Sequence, residues 1–277
     1  MREIEKTFQN LKKRNEGALI AYVAGGDPKP EYTPDIVEAL IDGGADIIEL
    51  GIPFSDPIAD GPTIQAATVR ALKAGTTPKM VLEMVSEVKE RRRTPIAVLT
   101  YYNPVFRMGL ENFFRSASRC GVDGVIVPDL PIEEARDYKR VADAYEIDTI
   151  FLTAPSTSKE RLQKIVEYTS GFLYLVSVFG VTGTRKEVQD LTVNLIRKAL
   201  PFTTGKIPLA VGFGISKPEH VRTIILNGAD GAIVGSRFVK ILEKNRGNND
   251  KMIEEIRKCA HELKKATVRQ KPFLDRH

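Results

Sequence analysis

The sequence predicts a single α/β domain built as a closed (β/α)8 barrel of the TIM-barrel type. Eight short, apolar, β-branched runs alternate with helical stretches along the 277 residues. Strict alternation of this kind is typical of a parallel sheet, and eight repeats imply closure of that sheet into a barrel. A Gly-x-Asp pattern also recurs before three of the runs, as expected of repeated turns that lead from a helix into a strand.

The chain begins with a predicted helix in which Ile4, Phe8 and Leu11 share one face, because side chains three and four positions apart are neighbours on a helix. We expect this helix to close the bottom of the barrel. The predicted strands are Ala18 to Val23, Asp46 to Gly51, Pro95 to Thr100, Gly124 to Pro128, Thr149 to Leu152, Phe172 to Ser177, Pro208 to Phe213 and Gly231 to Val234.

Amphipathic stretches between the strands predict the outer helices. These cover Asp35 to Ile41, Lys79 to Arg92, Leu110 to Arg119, Glu133 to Tyr145, Lys159 to Tyr168, Lys186 to Leu200 and Lys217 to Leu226. A short extra helix, Ser236 to Glu243, and a final helix, Lys251 to Lys265, follow the last strand. We therefore expect residues 1–265 to form one domain and residues 266–277, which have no periodicity, to form a disordered tail.

The Gly-x-Asp repeat orients the strands. It reads Gly44-Ala45-Asp46, Gly121-Val122-Asp123 and Gly228-Ala229-Asp230, and glycine is common just after a helix because it reaches left-handed backbone angles at little cost. These turns are predicted at the stability face of the barrel, with structural aspartates. Residues at the opposite strand ends, such as Glu49 and Gly214, then lie where barrel active sites are built.

Composition excludes several classes of protein. No apolar run approaches the roughly 18 residues that span a bilayer, and the charged start lacks a signal-peptide pattern, so we expect a cytoplasmic protein without a membrane segment. The net charge is +5 with a pI near 9.1, but the basic residues are scattered among 36 acids. The densest basic run, Lys89 to Arg93, has no aromatic stacking platform, so we expect no nucleic-acid partner.

Metal and disulfide chemistry are not expected. The two cysteines, Cys120 and Cys259, stand in helical surroundings without partners at metal-ligand spacing. The three histidines, His220, His261 and His277, lie on late helices or in the tail. No histidine-based triad can be assembled at the strand ends, so carboxylates must transfer any protons.

The segment Asp46 to Gly61 supplies such carboxylates. Glu49 lies in a β-branched run with the pattern of a buried strand, where an acid is costly to keep without a reason. A loop with two prolines follows and contains Asp56 and Asp60. An acid on a strand that faces acids on a loop is suited to proton transfer.

Glycine-bearing loops after the sixth, seventh and eighth strands predict a phosphate site. In barrels, free backbone N–H groups of such loops and the N-terminus of a short extra helix bind anions. Ser236 opens the predicted extra helix. The expected phosphate ligands are Gly183, Gly214, Gly235 and Ser236.

Four segments resemble those of the tryptophan synthase α chain family. They are ELGIPFSDPIADGPTIQ (Glu49 to Gln65), YLVSVFGVTGTR (Tyr174 to Arg185), VGFGIS (Val211 to Ser216) and GAIVGS (Gly231 to Ser236). The resemblance covers Phe8 to Lys265. It implies retro-aldol cleavage of indole-3-glycerol phosphate to indole and glyceraldehyde 3-phosphate, without a cofactor in this chain.

The resemblance also implies roles for three residues. Glu49 matches the family's shuttling acid and base, Asp60 the group that stabilises the indole nitrogen, and Tyr174 an active-site tyrosine. We expect the apolar neighbours Ile48 and Leu99 to raise the pKa of Glu49, while Asp60 stays ionised. Structural alternatives are a buried salt bridge at Glu49, a helix cap at Asp60 and simple packing at Tyr174.

An apolar pocket for the indole ring is expected at the strand ends. Tyr22 departs from the phenylalanine common in the family, and Val178-Phe179 replaces an arginine and a small residue found in many relatives. The loop containing Thr182 is expected to close over substrate. Candidate pocket residues, each near a predicted strand end, are Tyr22, Leu99, Tyr101, Leu152 and Phe213.

By resemblance, indole passes to a tryptophan synthase β chain that holds pyridoxal phosphate, in an α2β2 complex. Pro53, Asp56 and Pro131 are the expected partner contacts. Two rival hypotheses stay open: another phosphate-binding barrel enzyme of indole or sugar-phosphate metabolism, and a non-catalytic chain that only binds and activates a β chain. The first would typically need a catalytic lysine or cysteine at the strand ends, and the second would not need both Glu49 and Asp60.

Overall fold

The structure is a computed structural model that describes residues 1–177, 185–212 and 214–269, with the backbone alone for residues 185–189. Nine strands form one parallel sheet: β1 Ala18–Ala24, β2 Ile47–Gly51, β3 Ile96–Leu99, β4 Gly124–Ile126, β5 Asp148–Ile150, β6 Leu152–Thr153, β7 Leu173–Val176, β8 Leu209–Gly212 and β9 Gly231–Val234.

Twelve helices accompany the strands within the described residues. They are α1 Glu3–Lys13, α2 Thr33–Asp42, α3 Pro62–Lys73, α4 Pro78–Arg91, α5 Tyr102–Met108, α6 Leu110–Arg119, α7 Arg136–Ala144, α8 Lys159–Tyr168, α9 Arg185–Thr203, α10 Pro218–Leu226, α11 Ser236–Lys244 and α12 Asn249–Lys265. Short 3₁₀ turns occupy Pro30–Tyr32 and Ile132–Glu134. The helix predicted from Glu133 thus begins as a 3₁₀ turn.

The sheet closes at a single residue. Its strand order is β5-β4-β3-β2-β1-β9-β8-β7-β6, and Phe151 alone separates β5 from β6 along the chain. β5 pairs with β4 and β6 pairs with β7, both in parallel. The predicted fifth strand is therefore interrupted, and its two pieces join the ends of the sheet into the predicted barrel.

Side-chain alternation divides the core into two layers. Along β2, Ile48 and Leu50 pack outward between the sheet and the helices, whereas Ile47 packs inside the barrel, as period-two strand geometry requires. The inner layer continues into helix α1. Its residues Ile4, Phe8 and Leu11 are buried against the interior side chains, so the prediction that this helix closes the barrel bottom is confirmed.

The three Gly-x-Asp turns join neighbouring strands. The carboxylates of Asp46, Asp123 and Asp230 accept hydrogen bonds of 2.8, 2.8 and 2.9 Å from the backbone N–H groups of Leu19, Ile96 and Leu209. The glycines Gly44, Gly121 and Gly228 have φ of +99°, +79° and +102°, where a side chain would be strained. The predicted structural role of these aspartates is confirmed, and their end of the barrel is the bottom.

The first residues of the predicted tail are packed against the barrel bottom. The Gly17 N–H donates to the Thr267 carbonyl at 2.8 Å, and the Arg269 N–H donates to the Asn15 carbonyl at 3.0 Å. Thr267 is fully buried. Residues 266–269 thus extend the domain beyond the boundary predicted at 265, while residues 270–277 lie outside the described part of the chain.

Candidate active site

A cavity that is partly open to solvent lies at the carboxyl ends of the strands. Glu49 and Tyr22 come from adjacent strands and are register partners. Asp60 and Gly61 come from the loop after β2, and Gly235 and Ser236 directly follow β9. The lining residues are Tyr22, Glu49, Asp60, Gly61, Ile64, Leu99, Tyr174, Gly214, Ile215, Ile233, Gly235 and Ser236.

Glu49 is a buried acid that lines this cavity. Its side chain is 1% exposed, and its Oε2 atom has no hydrogen-bond partner among the described residues. Burial, helped by the nearby charge of Asp60, raises the pKa of Glu49 to about 8. Glu49 forms no salt bridge with a described residue, contrary to the structural alternative, and it is mostly protonated at neutral pH.

One expected cause of this pKa shift is wrong. Ile48 packs on the outside of the sheet, since neighbouring strand residues point to opposite faces. Leu99 does line the cavity with Glu49, as predicted. The apolar neighbour of the acid in the cavity therefore comes from the adjacent strand β3 and not from the preceding residue in the sequence.

Asp60 is held by a tyrosine from the next strand. The Tyr101 hydroxyl donates to Asp60 Oδ2 at 3.1 Å and accepts from the Ala59 N–H at 3.0 Å. Burial raises the pKa of Asp60 to about 6, although the Tyr101 hydrogen bond opposes the shift. Asp60 is thus mostly ionised at neutral pH. It does not cap helix α3, whose N-cap is Gly61 without a side-chain hydrogen bond.

Two tyrosine rings lie against glycines of neighbouring strands. A Cβ atom on Gly51 would lie 2.5 Å from the Tyr22 hydroxyl, and one on Gly212 would lie 2.4 Å from the Tyr174 hydroxyl. Both tyrosines are buried, at 6% and 8% exposure. Because glycine has no side chain, these two strand ends leave space for the tyrosine rings.

We expect Gly51→Ala to lower kcat/KM for the α reaction by at least about tenfold, because displacement of a side chain by about 1 Å is costly in a preorganised site. The double variant Gly51→Ala with Tyr22→Phe should recover part of that loss, since the hydroxyl is the nearest atom to the added methyl group. Steady-state kinetics of both variants, with Tyr22→Phe alone as the control, test this. Equal kinetics for Gly51→Ala and the double variant would contradict it.

Two glycines and the start of a helix also line the cavity. Gly214, two residues after β8, has φ of +73°, a conformation that favours glycine. Gly235 is the N-cap of α11, which begins at Ser236. The first N–H groups of a helix have no partner within it and attract anions. The structure thus brings Gly214, Gly235 and Ser236 together in the lining of one cavity.

Several residues that were predicted to form the site do not line the cavity. Tyr101 is 2% exposed and contacts Asp60 instead of lining the cavity. Leu152 packs in the barrel interior beside Tyr174, its register partner, and is also absent from the lining. Thr182, Gly183 and Phe213 lie outside the described residues.

Four lining residues were not selected from the sequence. Gly61 and Ile64 belong to the start of α3, and Ile215 follows Gly214. Ile233 could have been found, because period-two alternation along β9 places it on the interior face. No comparable periodicity marks Ile64, whose position depends on how α3 packs.

The described residues contain no cluster of three or more histidine, cysteine or acidic side chains able to hold a metal ion. No helix in the described part of the chain is long and apolar enough to cross a membrane.

Comparison with known proteins decides the family. The family model for the tryptophan synthase alpha chain matches residues 8–268. The tryptophan synthase alpha chain of Methanoregula boonei is 48% identical, over 96% of this chain and 98% of the relative. That of Methanothermobacter thermautotrophicus is 45% identical, over 94% and 96%.

The chain belongs to the tryptophan synthase α chain family. It is accordingly a lyase of tryptophan biosynthesis that cleaves indole-3-glycerol phosphate to indole and glyceraldehyde 3-phosphate. The family match spans nearly the whole barrel, in agreement with the range of the sequence resemblance.

Solved structures of tryptophan synthase α chains have the same fold. A crystal structure of the α chain from Legionella pneumophila has a TM-score of 0.86 at 34% identity, covering 96% of this chain and 97% of that chain. A chain from a study of mutual activation of the α2β2 complex of Pyrococcus furiosus has a TM-score of 0.84 at 43% identity, covering 90% and 98%. The predicted barrel fold is confirmed.

Proposed function

We propose that Glu49 and Asp60 carry out the retro-aldol cleavage, with Glu49 starting in its protonated form. The supporting observation is the pair of separated pKa values, about 8 for Glu49 and about 6 for Asp60. Two acids whose environments push their pKa values apart can take different roles at one pH. At neutral pH one is a proton donor and the other is a negative charge.

The proton balance of the reaction matches these two states. Glu49 donates its proton to the indole ring carbon that bears the glycerol arm, and positive charge develops at the ring nitrogen. The Asp60 carboxylate accepts a hydrogen bond from that nitrogen and stabilises the charge. The Glu49 carboxylate then removes the proton from the hydroxyl next to the bond that breaks, so indole and the aldehyde leave and Glu49 is protonated again.

The lining of the cavity offers groups for both parts of the substrate. Leu99, Ile64 and Tyr22 offer apolar and aromatic surface for the indole ring, next to both acids. Gly214, Gly235 and Ser236 offer backbone N–H groups for the phosphate. We place Gly183 in the same phosphate site and Tyr174 against the glycerol arm, and we expect the loop containing Thr182 to close the cavity.

No cofactor is needed for these steps in this chain. Proton donation, charge stabilisation and proton removal are all supplied by the two carboxyl groups. In our proposal pyridoxal phosphate belongs to a β-chain partner, which consumes the indole. The cytoplasmic location predicted from the charged start of the chain remains a prediction.

The direct test of the function is release of glyceraldehyde 3-phosphate from indole-3-glycerol phosphate, measured with and without a β chain. We expect release in both cases, with more in the presence of the β chain. No release in either case would leave only the non-catalytic binding role. Release that depends on an added metal ion or cofactor would favour a different barrel enzyme.

We further propose that the β chain docks on three loops at the barrel mouth. The strand order places the loops after β2, β3 and β4 side by side. They are also bonded together, since Tyr101 contacts the Ala59 N–H and the Tyr102 N–H donates to Asp129 at 2.8 Å. The loop after β2 presents Ile58 at 81% exposure, and helix α5, which follows β3, presents Phe106 at 68% exposure.

The expected contacts change in one respect. Asp56 and Pro131 are exposed on these loops, but Pro53 is buried within this chain and cannot offer its side chain to a partner. Two large exposed apolar side chains close to exposed polar groups are typical of a binding surface. Ile58 and Phe106 therefore replace Pro53 in the proposed contact surface.

We expect Ile58→Asp to weaken β-chain binding by at least about tenfold, because loss of a hot-spot side chain at an interface costs about 2 kcal/mol or more. Calorimetric titration with the β chain of the same organism measures the effect. Leu226→Asp is the matched control, since Leu226 is 55% exposed but ends helix α10 at the barrel bottom. Similar affinities for the two variants would contradict the docking surface.

A further inference from the structure

Arg70 joins three elements that each lead to the active site. Its Nε and Nη2 atoms lie 2.6 and 2.8 Å from the two carboxylate oxygens of Asp27, and its Nη1 atom lies 3.3 Å from Glu243. Arg70 belongs to α3, Asp27 to the loop after β1, and Glu243 to the last turn of α11. One guanidinium group thus ties a loop and two helices together.

Two of these elements carry lining residues of the cavity, and the third follows a strand that carries one. Helix α3 begins directly after Asp60 and Gly61, and its first turn contains Ile64. Strand β1 contains Tyr22, and α11 begins at Ser236. The position of α3 relative to β1 and α11 therefore sets the distances from Asp60 to Tyr22 and to Ser236.

The Arg70–Asp27 pair is protected from water. The side chain of Asp27 is fully buried, and that of Arg70 is 14% exposed. Both carboxylate oxygens of Asp27 are satisfied by the planar fork of the guanidinium group, a two-point contact that fixes orientation as well as distance. A lysine could supply the charge but not the fork. Neither residue lines the cavity.

We propose that Arg70 is a positioning residue for the α reaction, which acts by holding helix α3 against the loop after β1 and against α11. Through α3 it sets where Asp60, Gly61 and Ile64 stand in the cavity. The inference rests on the proposed function of that cavity. An ion pair outside the cavity then helps to hold the cavity residues in the geometry that catalysis requires.

The test compares Arg70→Met and Arg70→Lys with Arg2→Met. Arg2 is the matched control because it pairs at 2.9 Å with Asp148, whose side chain is 3% exposed, at the barrel bottom. Both methionine variants leave a buried aspartate without its arginine, and both should lower the melting temperature. Only the Arg70 variants should lower kcat/KM for indole-3-glycerol phosphate cleavage, by at least about tenfold for Met and by less for Lys.

The pH profile provides a second readout that loss of stability alone does not change. If α3 loosens, water reaches Asp60, so the acid limb of kcat/KM should move to lower pH in Arg70→Lys and Arg70→Met. Should Arg70→Met fail to fold, Arg70→Lys alone decides the matter. Wild-type kcat/KM and an unchanged profile in Arg70→Lys, or an equal activity loss in Arg2→Met, would overturn the proposal. A wild-type chain that fails to cleave substrate would instead refute the proposed function.

Discussion

Replacing Glu49 by Gln is expected to lower the turnover of indole-3-glycerol phosphate cleavage by about 10² to 10⁴, the usual share of general acid-base catalysis. Glutamine keeps the shape of the side chain but can neither donate a proton to the ring carbon nor remove one from the hydroxyl group. Substrate affinity should change little, since the loss is in the transition state. Turnover close to that of the wild type would contradict the assignment of Glu49.

The same substitution should stabilise the fold, which separates a catalytic loss from misfolding. The pKa of Glu49 rises from 4.5 to about 8 on folding, so wild-type stability falls as pH rises through that window, where the unfolded chain is the more ionised. Glu49→Gln removes this penalty, which amounts to at most about 3 kcal/mol at pH 7. Denaturant unfolding at pH 4.5 and pH 7.5 should show little gain at the first pH and a clear gain at the second.

Replacing Asp60 by Asn is expected to lower kcat/KM by about 10² to 10³, comparable to the loss of one preorganised electrostatic contact in other active sites. The amide can still accept a hydrogen bond from the ring nitrogen, but it carries no charge to stabilise the developing cation. Because Asp60 is partly buried, that charge is worth more there than in bulk water.

The pH dependence makes the Asp60 prediction specific. Wild-type kcat/KM should be bell-shaped, with an acid limb near pH 6 from Asp60 and an alkaline limb near pH 8 from Glu49. Asp60→Asn should lose the acid limb and keep the alkaline one. Asp137→Asn, an exposed aspartate on α7, is the control and should keep both limbs. An acid limb retained in Asp60→Asn would assign that limb to another group.

Much of the site could be predicted because it depends on local pattern. Glu49 is recognisable as an acid inside an apolar strand. The Gly-x-Asp turns indicate which end of that strand lies at the barrel mouth. The glycines after the last strands point to an anion site for the same local reason, since only a backbone without side chains allows close approach. These inferences need the chain direction of each strand but no knowledge of which strands are neighbours.

Other features could not be predicted because they depend on contacts between distant segments. Tyr101 was expected in the indole pocket, yet its hydroxyl group supports Asp60, which lies 41 positions earlier in the chain. Ile48 was expected to raise the pKa of Glu49, but the residues beside this acid in the cavity, Tyr22 and Leu99, come from the neighbouring strands. The Arg70–Asp27 pair has no sequence signal at all, because a helix arginine is usually a solvated surface residue.

The sequence by itself determined the barrel, the family and the two carboxylates, because strand and helix periodicity, turn glycines and contiguous motifs are properties of neighbouring residues. Only the tertiary structure decided how those carboxylates differ. Their pKa values depend on burial and on partners such as Tyr101, which are set by the packing of elements far apart in the chain. Physical environment, rather than residue type, therefore separates the proposed proton donor from the proposed charge stabiliser.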